Sequence, residues 1–195
     1  MKNIEKVFLE HGSVAEYKNG DVIFNEGAVC SKVGYIIKGR VKIATYTENE
    51  GEVVINLLSK NEVFGDLLLF SSTPNYYGMG ICLENTVISY LSKEKVLSLM
   101  EKDKMFLTSF LNLITNKGVR LKQINKLYAH KNIEERFTYY IYHVTKSKNN
   151  VVKFKSITDI AHILSIPRPS LSRVIHKMKR DGKIDILRHE IIIKK

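Results

Sequence analysis

The sequence predicts an α+β protein in three parts: a β-rich N-terminal domain, a long connecting helix, and a small C-terminal domain of helices and a hairpin. Three observations indicate this order. Short apolar runs separated by glycines occupy residues 14–98, two apolar stripes with helical spacing occupy residues 104–129, and a helix–break–helix pattern occupies residues 156–183. A chain of 195 residues is long enough for one medium domain and one small one.

Residues 14–98 have the pattern of a β domain. Short apolar runs recur at nearly regular spacing, and glycines lie between them, where a positive φ or a close approach of two chain segments is least costly. The runs cover residues 22–24, 33–37, 41–46, 53–58, 79–83 and 86–91, and the glycines are Gly20, Gly27, Gly39, Gly51 and Gly65. We expect these runs to be the strands of one domain.

A long helix is predicted from residue 104 to about residue 129. One stripe repeats at spacings of four and three, the heptad spacing of a helix–helix seam. This seam consists of Leu107, Leu111, Ile114, Gly118, Leu121, Asn125 and Tyr128, and a second stripe beside it consists of Phe106, Phe110, Leu113, Ile124 and Leu127. One stripe can pack on the β domain while the seam meets a second copy, so we expect a homodimer. The alternative is that both stripes are buried within one subunit.

A break after this helix predicts a domain boundary. Asn132 with Glu135 three residues later is a helix N-terminus signal, so a new helix is expected to run through Phe137, Ile141 and Val144. His130 and Lys131 precede it and form the expected hinge. Residues 147–150 predict a polar turn, and residues 151–154 a short strand.

Residues 156–183 have the signature of two helices joined by a sharp turn. Ser156 is a good N-cap, and Asp159 places a carboxylate in the first turn. Pro167 ends the first helix, because it donates no N–H and moves Ile166 out of helical geometry. The second helix is expected to begin near Arg168. Apolar residues 184–187 and 191–193 then flank a polar turn and predict a hairpin, which completes a winged helix-turn-helix.

The second of these helices has a basic outward face. Its inward side consists of Leu171, Val174, Ile175 and Met178, and its outward side of Arg168, Ser170, Arg173, His176, Lys177 and Arg180. Arginine pairs bidentately with guanine in the major groove, and lysine and hydroxyl groups hold phosphates. The alternative is a solvated basic face without a ligand.

Charge is distributed unevenly along the chain, whose formal net charge is +11. Residues 1–100 contain 10 basic and 12 acidic residues, whereas residues 101–195 contain 21 basic and 8 acidic residues. A nearly neutral half joined to a strongly basic half indicates a sensor joined to a domain that binds a polyanion.

Several classes of protein are not expected. No apolar run approaches the length of a membrane span, and no signal-peptide pattern opens the chain. Cys30 and Cys82 alone make neither a disulfide framework nor a metal site, which favours the cytoplasm. No nucleophile triad, HExxH or phosphate-binding glycine loop is present, so we expect no enzyme.

Three segments of the sequence resemble the β-roll of the Crp/Fnr family of bacterial transcription regulators. They are GDVIFNEG at residues 20–27, YIIKGRVKI at 35–43 and VFGDLLLF at 63–70. The resemblance implies a cyclic-nucleotide-binding-type β-roll over residues 1–104, a dimerisation helix over 105–130 and a winged-helix DNA-binding domain over 131–195. It also implies double-stranded DNA and RNA polymerase as partners, with a homodimer on a palindromic site.

The effector pocket that the resemblance implies departs from that of the cyclic AMP-binding members of the family. Their Gly-Glu-Leu turn is matched here by Gly65, Asp66 and Leu67, but their phosphate-binding Arg-Ser pair falls at or beside Tyr76 and Tyr77. No arginine lies between Arg40 and Arg120, and a buried phosphate without a cation is costly. The family's base-contacting Thr-Ser pair is matched by about Leu121 and Lys122. Cyclic nucleotide is therefore not expected, although a less charged ligand could be lined by Leu68, Tyr76 and Tyr77. Asp66 could instead cap a short helix over residues 67–70.

Other family members sense through iron–sulfur clusters or haem, and neither is expected here. A cluster needs about four cysteines, and this chain has two. His11 or Cys82 could in principle ligate a haem, but a single such residue is more often structural. No cofactor or metal is assigned.

On the second helix of the helix-turn-helix, the family often reads bases with Arg, Glu and a later Arg. Arg168 and Arg173 match the two arginines, but Pro169 stands at the Glu position, which implies a different half-site. Further expected DNA contacts are Ser170, Ser172, His176 and Lys177 on the helix and Lys183 and Arg188 on the wing. We expect a sequence-specific transcription regulator. The alternatives are a regulator that needs no ligand and is controlled by its abundance, and a sensor whose winged helix binds a protein.

Overall fold

Apolar residues collect in separate cores in the two units of the chain, Met1–Ile114 and Thr115–Lys195. The computed structural model describes residues 2–47, 51–145 and 150–194. The predicted turn over residues 147–150 therefore lies outside the described residues, except for its last residue. None of the helices in the described part of the chain combines the length and apolar character needed to span a bilayer.

The first unit contains two four-stranded antiparallel sheets. Its elements are α1 (Lys2–His11), β1 (Ser13–Tyr17), β2 (Val22–Phe24), β3 (Lys32–Lys38), β4 (Arg40–Thr47), β5 (Gly51–Ser59), β6 (Val63–Phe64), β7 (Met79–Cys82), β8 (Thr86–Ser92), α2 (Lys93–Lys102) and the beginning of α3 (Lys104–Tyr128). One sheet has the strand order β1-β8-β3-β6 and the other β2-β7-β4-β5. All six apolar runs predicted as strands form strands.

Side chains from both sheets share one core. Ile36 and Ile88, which are register partners in the first sheet, pack in the same cluster as Val41 and Leu58 of the second. A tight turn at Gly39 joins β3 to β4 with φ +98°. A Cβ at Gly39 would lie 2.7 Å from the Cα of a β8 residue, so only glycine fits there.

Helices cover the other face of the first sheet. Phe106 and Phe110, from the second stripe of the connecting helix, are buried together with Val33 and Leu91, as predicted for the stripe that packs on the β domain. Leu127 at the end of the same stripe is instead buried in the core of the second unit. Helix α1 was not predicted. It packs on the same cluster through Phe8, which is fully buried there.

The second unit is a helical domain closed by a small sheet. Its elements after α3 are α4 (Ile133–Tyr139), a π-helix (Tyr140–Val144), β9 (Val151–Lys153), α5 (Ile157–Leu164), α6 (Arg168–Arg180), β10 (Ile184–Leu187) and β11 (Glu190–Ile193). The strands form an antiparallel sheet in the order β10-β11-β9. Its core includes Leu127, Phe137, Ile160, Leu164, Leu171, Ile175, Met178 and Ile191. The predicted helix-turn-helix and hairpin are confirmed.

Two local predictions need correction. Residues 67–70 form hydrogen-bonded turns rather than a helix, with Leu68 and Leu69 both donating backbone N–H groups to the carbonyl of Gly65. The helix capped by Asn132 does continue to Val144, but its last part is a π-helix, whose hydrogen bonds span five residues instead of four. Periodicity alone does not distinguish that last turn from an α-helix.

Candidate nucleic-acid interface

The turn between α5 and α6 is built by local backbone geometry. Ser156 caps α5 by accepting a hydrogen bond from the backbone N–H of Asp159 at 3.0 Å, as predicted. At the other end, Ser165 adopts the left-handed conformation with φ +51°, and the N–H of Ile166 returns to the carbonyl of Ala161. Pro167 then precedes α6, which begins at Arg168. The turn therefore fixes the direction of α6.

Tyr128, the last residue of α3, is anchored to this turn. Its hydroxyl donates to the carbonyl of Ile163 at 3.2 Å and lies 3.0 Å from the Ser165 hydroxyl. The sequence predicted Tyr128 only as a seam residue. These contacts show that its hydroxyl also supports the left-handed residue that ends α5, a role that the heptad spacing did not indicate.

The exposed side of α6 carries the predicted DNA-contacting residues. Arg168, Arg173, His176 and Lys177 are exposed, together with Arg180, whereas Ser170 and Ser172 are half-buried. The opposite side of the helix is formed by Leu171, Ile175 and Met178, all buried in the core of the second unit. The core thus directs the arginines outward.

Two predicted phosphate-binding lysines are already paired within the protein. The Glu134 carboxylate on α4 accepts hydrogen bonds from the ammonium groups of Lys177 and Lys183, both at 2.7 Å. These bonds, Lys177 first and then Lys183, lower the pKa of Glu134 to about 2. Sequence reasoning missed Glu134, because its partners lie 43 and 49 residues away along the chain.

A second carboxylate acts in a similar way on neighbouring lysines. Asp185 on β10 lies 3.1 Å from the ammonium of Lys179 and 3.7 Å from that of Lys194. By contrast, within the described residues no acidic side chain pairs with the three arginines of the predicted interface. These are Arg168, Arg173 and Arg188.

The wing places the third of these arginines at its tip. Leu187 and Glu190 are register partners at the end of the hairpin, so Arg188 and His189 form the connecting turn. Arg188 has φ +51°, a left-handed conformation that is uncommon for a residue with a side chain. Between the wing and α6 lies a groove of about 430 Å³, and its lining includes Ser172, His176, Lys179, Arg188 and His189.

The predicted effector pocket is only partly assembled in the first unit. Gly65 adopts φ +78°, and a Cβ there would lie 3.5 Å from the Tyr76 hydroxyl, so this turn and Tyr76 are neighbours. Asp66 and Tyr76 are buried, and Leu68 is half-buried. Leu67 and Tyr77 are exposed. Leu121 belongs to the second unit.

Aromatic side chains occupy the interior beside this turn. Tyr76 stacks on Phe24 with ring centroids 3.8 Å apart, and Phe24 lies against Phe64, which meets the ring of Tyr90 edge-on. Burial raises the pKa of Tyr76 and of Tyr90 above the ordinary range. Tyr90 shares a hydrogen bond of 3.0 Å with the Tyr17 hydroxyl. The residue that stands at or beside the family's Arg-Ser position thus packs as an aromatic core residue.

The predicted seam is largely exposed in the single chain. Leu111 and Leu121 are each 51% exposed, and Asn125 and Tyr128 are also exposed. Leu107, Ile114 and Gly118 are half-buried. A Cβ at Gly118 would meet no atom within 4 Å. In the described part of the chain, no group of three or more His, Cys, Asp or Glu side chains is arranged to hold a metal ion.

Comparisons with known proteins agree with this architecture. Residues 14–103 match the model of the cyclic nucleotide-binding domain. CprK in complex with OCPA has a TM-score of 0.72 at 17% identity, over 100% of this chain and 92% of CprK. A CooA variant from Carboxydothermus hydrogenoformans has a TM-score of 0.69 at 15% identity, over 97% of this chain and 86% of CooA.

A third solved structure matches from end to end. CLP from Xanthomonas campestris, a c-di-GMP-responsive global regulator that links cell–cell signalling to virulence gene expression, has a TM-score of 0.60 at 17% identity over 100% of both chains. No curated protein sequence matches the chain significantly. Residues 14–103 therefore form a cyclic nucleotide-binding-type domain, and the chain as a whole has the fold of the Crp/Fnr transcription regulators.

Proposed function

We propose that the chain is a sequence-specific, DNA-binding transcription regulator of the Crp/Fnr type. The observation that carries this proposal is the set of three arginines on α6 and the wing. Arg168, Arg173 and Arg188 have no acidic partner among the described residues, although carboxylates nearby engage four lysines. Cationic groups left unpaired on the exposed side of a helix-turn-helix are available to DNA.

Each part of this face has a distinct expected role. Arg168 and Arg173 would read guanine from the major groove, because their planar guanidinium groups pair with its O6 and N7 atoms. His176 and the half-buried hydroxyls of Ser170 and Ser172 would contact phosphates or base edges. Arg188 on the wing would contact the backbone. Pro169 offers no acceptor for cytosine, so the half-site should differ from those read by an Arg-Glu-Arg set.

Lys177 and Lys183 differ from the arginines because an acidic side chain already engages them. Lys177 and Lys183 reach phosphates only by leaving Glu134 or by sharing their charge with it, since both ammonium groups hydrogen-bond its carboxylate. They remain proposed DNA contacts of a weaker kind than the arginines.

We further propose that the active form is a homodimer joined along the seam. The stripe formed by Phe106 and Phe110 is buried within the subunit, whereas Leu111 and Leu121 of the seam stay half exposed. Apolar side chains at heptad spacing favour association with the same helix of a second copy. A two-fold dimer would place its recognition helices about one turn of DNA apart, on a palindromic site. The fold also favours RNA polymerase as a partner.

Cyclic AMP is not the effector that this domain would select. The aromatic core around Tyr76 contains no arginine for a phosphate, since none lies between Arg40 and Arg120. The ammonium of Lys32 lies over the ring of Tyr90, 3.9 Å from its centroid, and is thus engaged by an aromatic face. The related structures CLP and CprK respond to or bind different small molecules, c-di-GMP and OCPA. A regulator controlled by its own abundance is the alternative within this class.

Selection from a randomised duplex pool tests the proposal directly. The purified protein, without added ligand, should enrich an inverted repeat whose half-sites are centred about 10 base pairs apart. Arg173→Ala should relax the preference at one base pair of each half-site, and Arg173→Lys should do the same because it keeps the charge but loses the bidentate geometry. Failure to enrich any sequence, with and without small-molecule cell extract, would refute the proposal. Salt-insensitive capture of a protein would favour a protein-binding sensor.

A further inference from the structure

Glu134 joins the start of α4 to two lysines that lie 43 and 49 residues further along the chain. It lies in the first turn of α4, and its carboxylate holds one lysine of the recognition helix, Lys177, and one of the following turn, Lys183. Each oxygen takes one ammonium group, so both acceptor atoms are used. We call these three residues the lysine clamp.

Several features keep the clamp closed. The Glu134 side chain is 26% exposed, whereas the side chains of Lys177 and Lys183 are 53% and 54% exposed. The carboxylate is thus the more sheltered partner. Asn132 fixes the start of α4 by accepting a hydrogen bond from the N–H of Glu135 at 2.8 Å, so Glu134 is held on an ordered helical turn.

The clamp engages lysines of the proposed interface but none of its arginines. Its single carboxylate engages two ammonium groups beside α6 and offsets one of their two positive charges, while Arg168 and Arg173 on the same helix have no acidic partner among the described residues. Lysine attracts DNA as a point charge, largely without regard to sequence, whereas arginine reads guanine by geometry. Withholding the lysines therefore lowers sequence-independent attraction more than it lowers base reading.

We propose that Glu134 is a specificity-determining residue, which holds Lys177 and Lys183 away from the phosphates of non-specific DNA and so limits binding to it, while both lysines stay weaker contacts at a specific site. This inference rests on the proposed DNA-binding function. It assigns to an acidic residue a role in recognition that is exerted through its two lysines, because a phosphate must compete with a fixed carboxylate for each ammonium group.

Salt titration of Glu134→Gln against Glu135→Gln tests the inference. Both variants gain one positive charge on the same helical turn, but no ion pair of Glu135 is found among the described residues. On an unrelated duplex, Glu134→Gln should steepen the slope of log K against log salt by up to about 1.8, because two more phosphates are contacted. Between 50 and 200 mM salt this equals roughly a tenfold greater loss of affinity. Glu135→Gln should leave the slope unchanged within about 0.3.

Removal of the lysines gives the complementary result. The double substitution Lys177→Gln/Lys183→Gln should change the slope of the wild-type protein by less than about 0.5, but should remove the whole gain in the Glu134→Gln background. If Glu134→Gln fails to fold, the inference can still be tested, because the effect of Lys177→Gln/Lys183→Gln on the salt slope can be measured in the wild-type background alone. A loss of about 1.8 from the wild-type slope would overturn the inference, because the lysines would then already contact phosphates.

The proposed function and the inference fail in different ways. If wild-type protein shows no salt-dependent binding to any duplex, the DNA-binding function itself is refuted. If wild-type protein binds and Glu134→Gln behaves as Glu135→Gln does, only the clamp is refuted. The preference for a selected site over an unrelated duplex should fall in Glu134→Gln alone.

Discussion

The pH dependence of stability should reveal the lysine clamp independently of DNA. Folding lowers the pKa of Glu134 from an ordinary 4.5 to about 2, through hydrogen bonds from Lys177 and Lys183. A shift of that size corresponds to at most about 3.4 kcal/mol at neutral pH. Because both lysines are half exposed and solvent screens their charge, we expect Glu134→Gln to cost about 1 kcal/mol.

The sign of the pH dependence follows from the direction of the shift. A carboxyl with a lowered pKa in the folded state stabilises fully above its unfolded pKa, and this contribution is lost as the pH falls from about 4.5 towards 2. Urea unfolding followed by circular dichroism should therefore show a difference between wild type and Glu134→Gln that is constant at pH 6–7 and smaller at pH 3. Glu135→Gln is the control. An NMR titration midpoint near 4.5 for the Glu134 carboxyl would refute the reasoning.

Two further substitutions test the β domain and the dimer. Gly39→Ala should lower the free energy of unfolding by about 2 kcal/mol more than Gly20→Ala does, and should lower the melting temperature accordingly. Both glycines have positive φ, but only at Gly39 would the new Cβ collide with Thr86. Equal effects in thermal denaturation would contradict that contact. Leu121→Lys should weaken the dimer on the order of 1000-fold, since two apolar side chains of about 2 kcal/mol each leave the seam. Met105→Lys, 71% exposed on the opposite side of α3, should leave the sedimentation coefficient unchanged, and a dimer that tolerates Leu121→Lys would exclude the seam.

Local signals in the sequence predicted the helix-turn-helix closely. Ser156 marks the start of α5 and Pro167 the start of α6. Both could be predicted because an N-cap and a missing N–H act over only a few residues. The strands were predictable for a similar reason, since apolar runs and glycine turns are read within single segments. Leu171 and Met178 face the core because helical spacing already places them on one side.

Long-range pairings could not be predicted in the same way. Glu134 meets its lysines, and Tyr128 meets the end of α5, only after the chain has folded, and no periodicity relates these positions. Helix α1 was missed because its single short apolar face resembles that of many surface segments. The burial of Phe8 against the sheet is a tertiary contact, which the sequence of this segment alone does not indicate.

The fold of the β domain was predicted from the sequence, but no ligand for it was. The sequence shows that no arginine lies near the pocket turn, whereas the stacking of Tyr76 on Phe24 arises only in the folded chain. An aromatic residue at that position could equally have lined an open cavity. Its packing within the core supports the expectation that cyclic AMP is not recognised.

Fluorescence anisotropy on a selected duplex and on a scrambled one, titrated with salt, tests the central claim most directly. For the wild-type protein we predict tight binding to the selected duplex, at least about 1000-fold tighter than to the scrambled one, with affinity falling steeply as salt rises. Arg173→Ala should lose about 1–3 kcal/mol on the selected duplex and much less on the scrambled one. Equal affinity of the wild-type protein for both duplexes, or binding that salt does not weaken, would contradict the claim that this chain is a sequence-specific DNA-binding regulator.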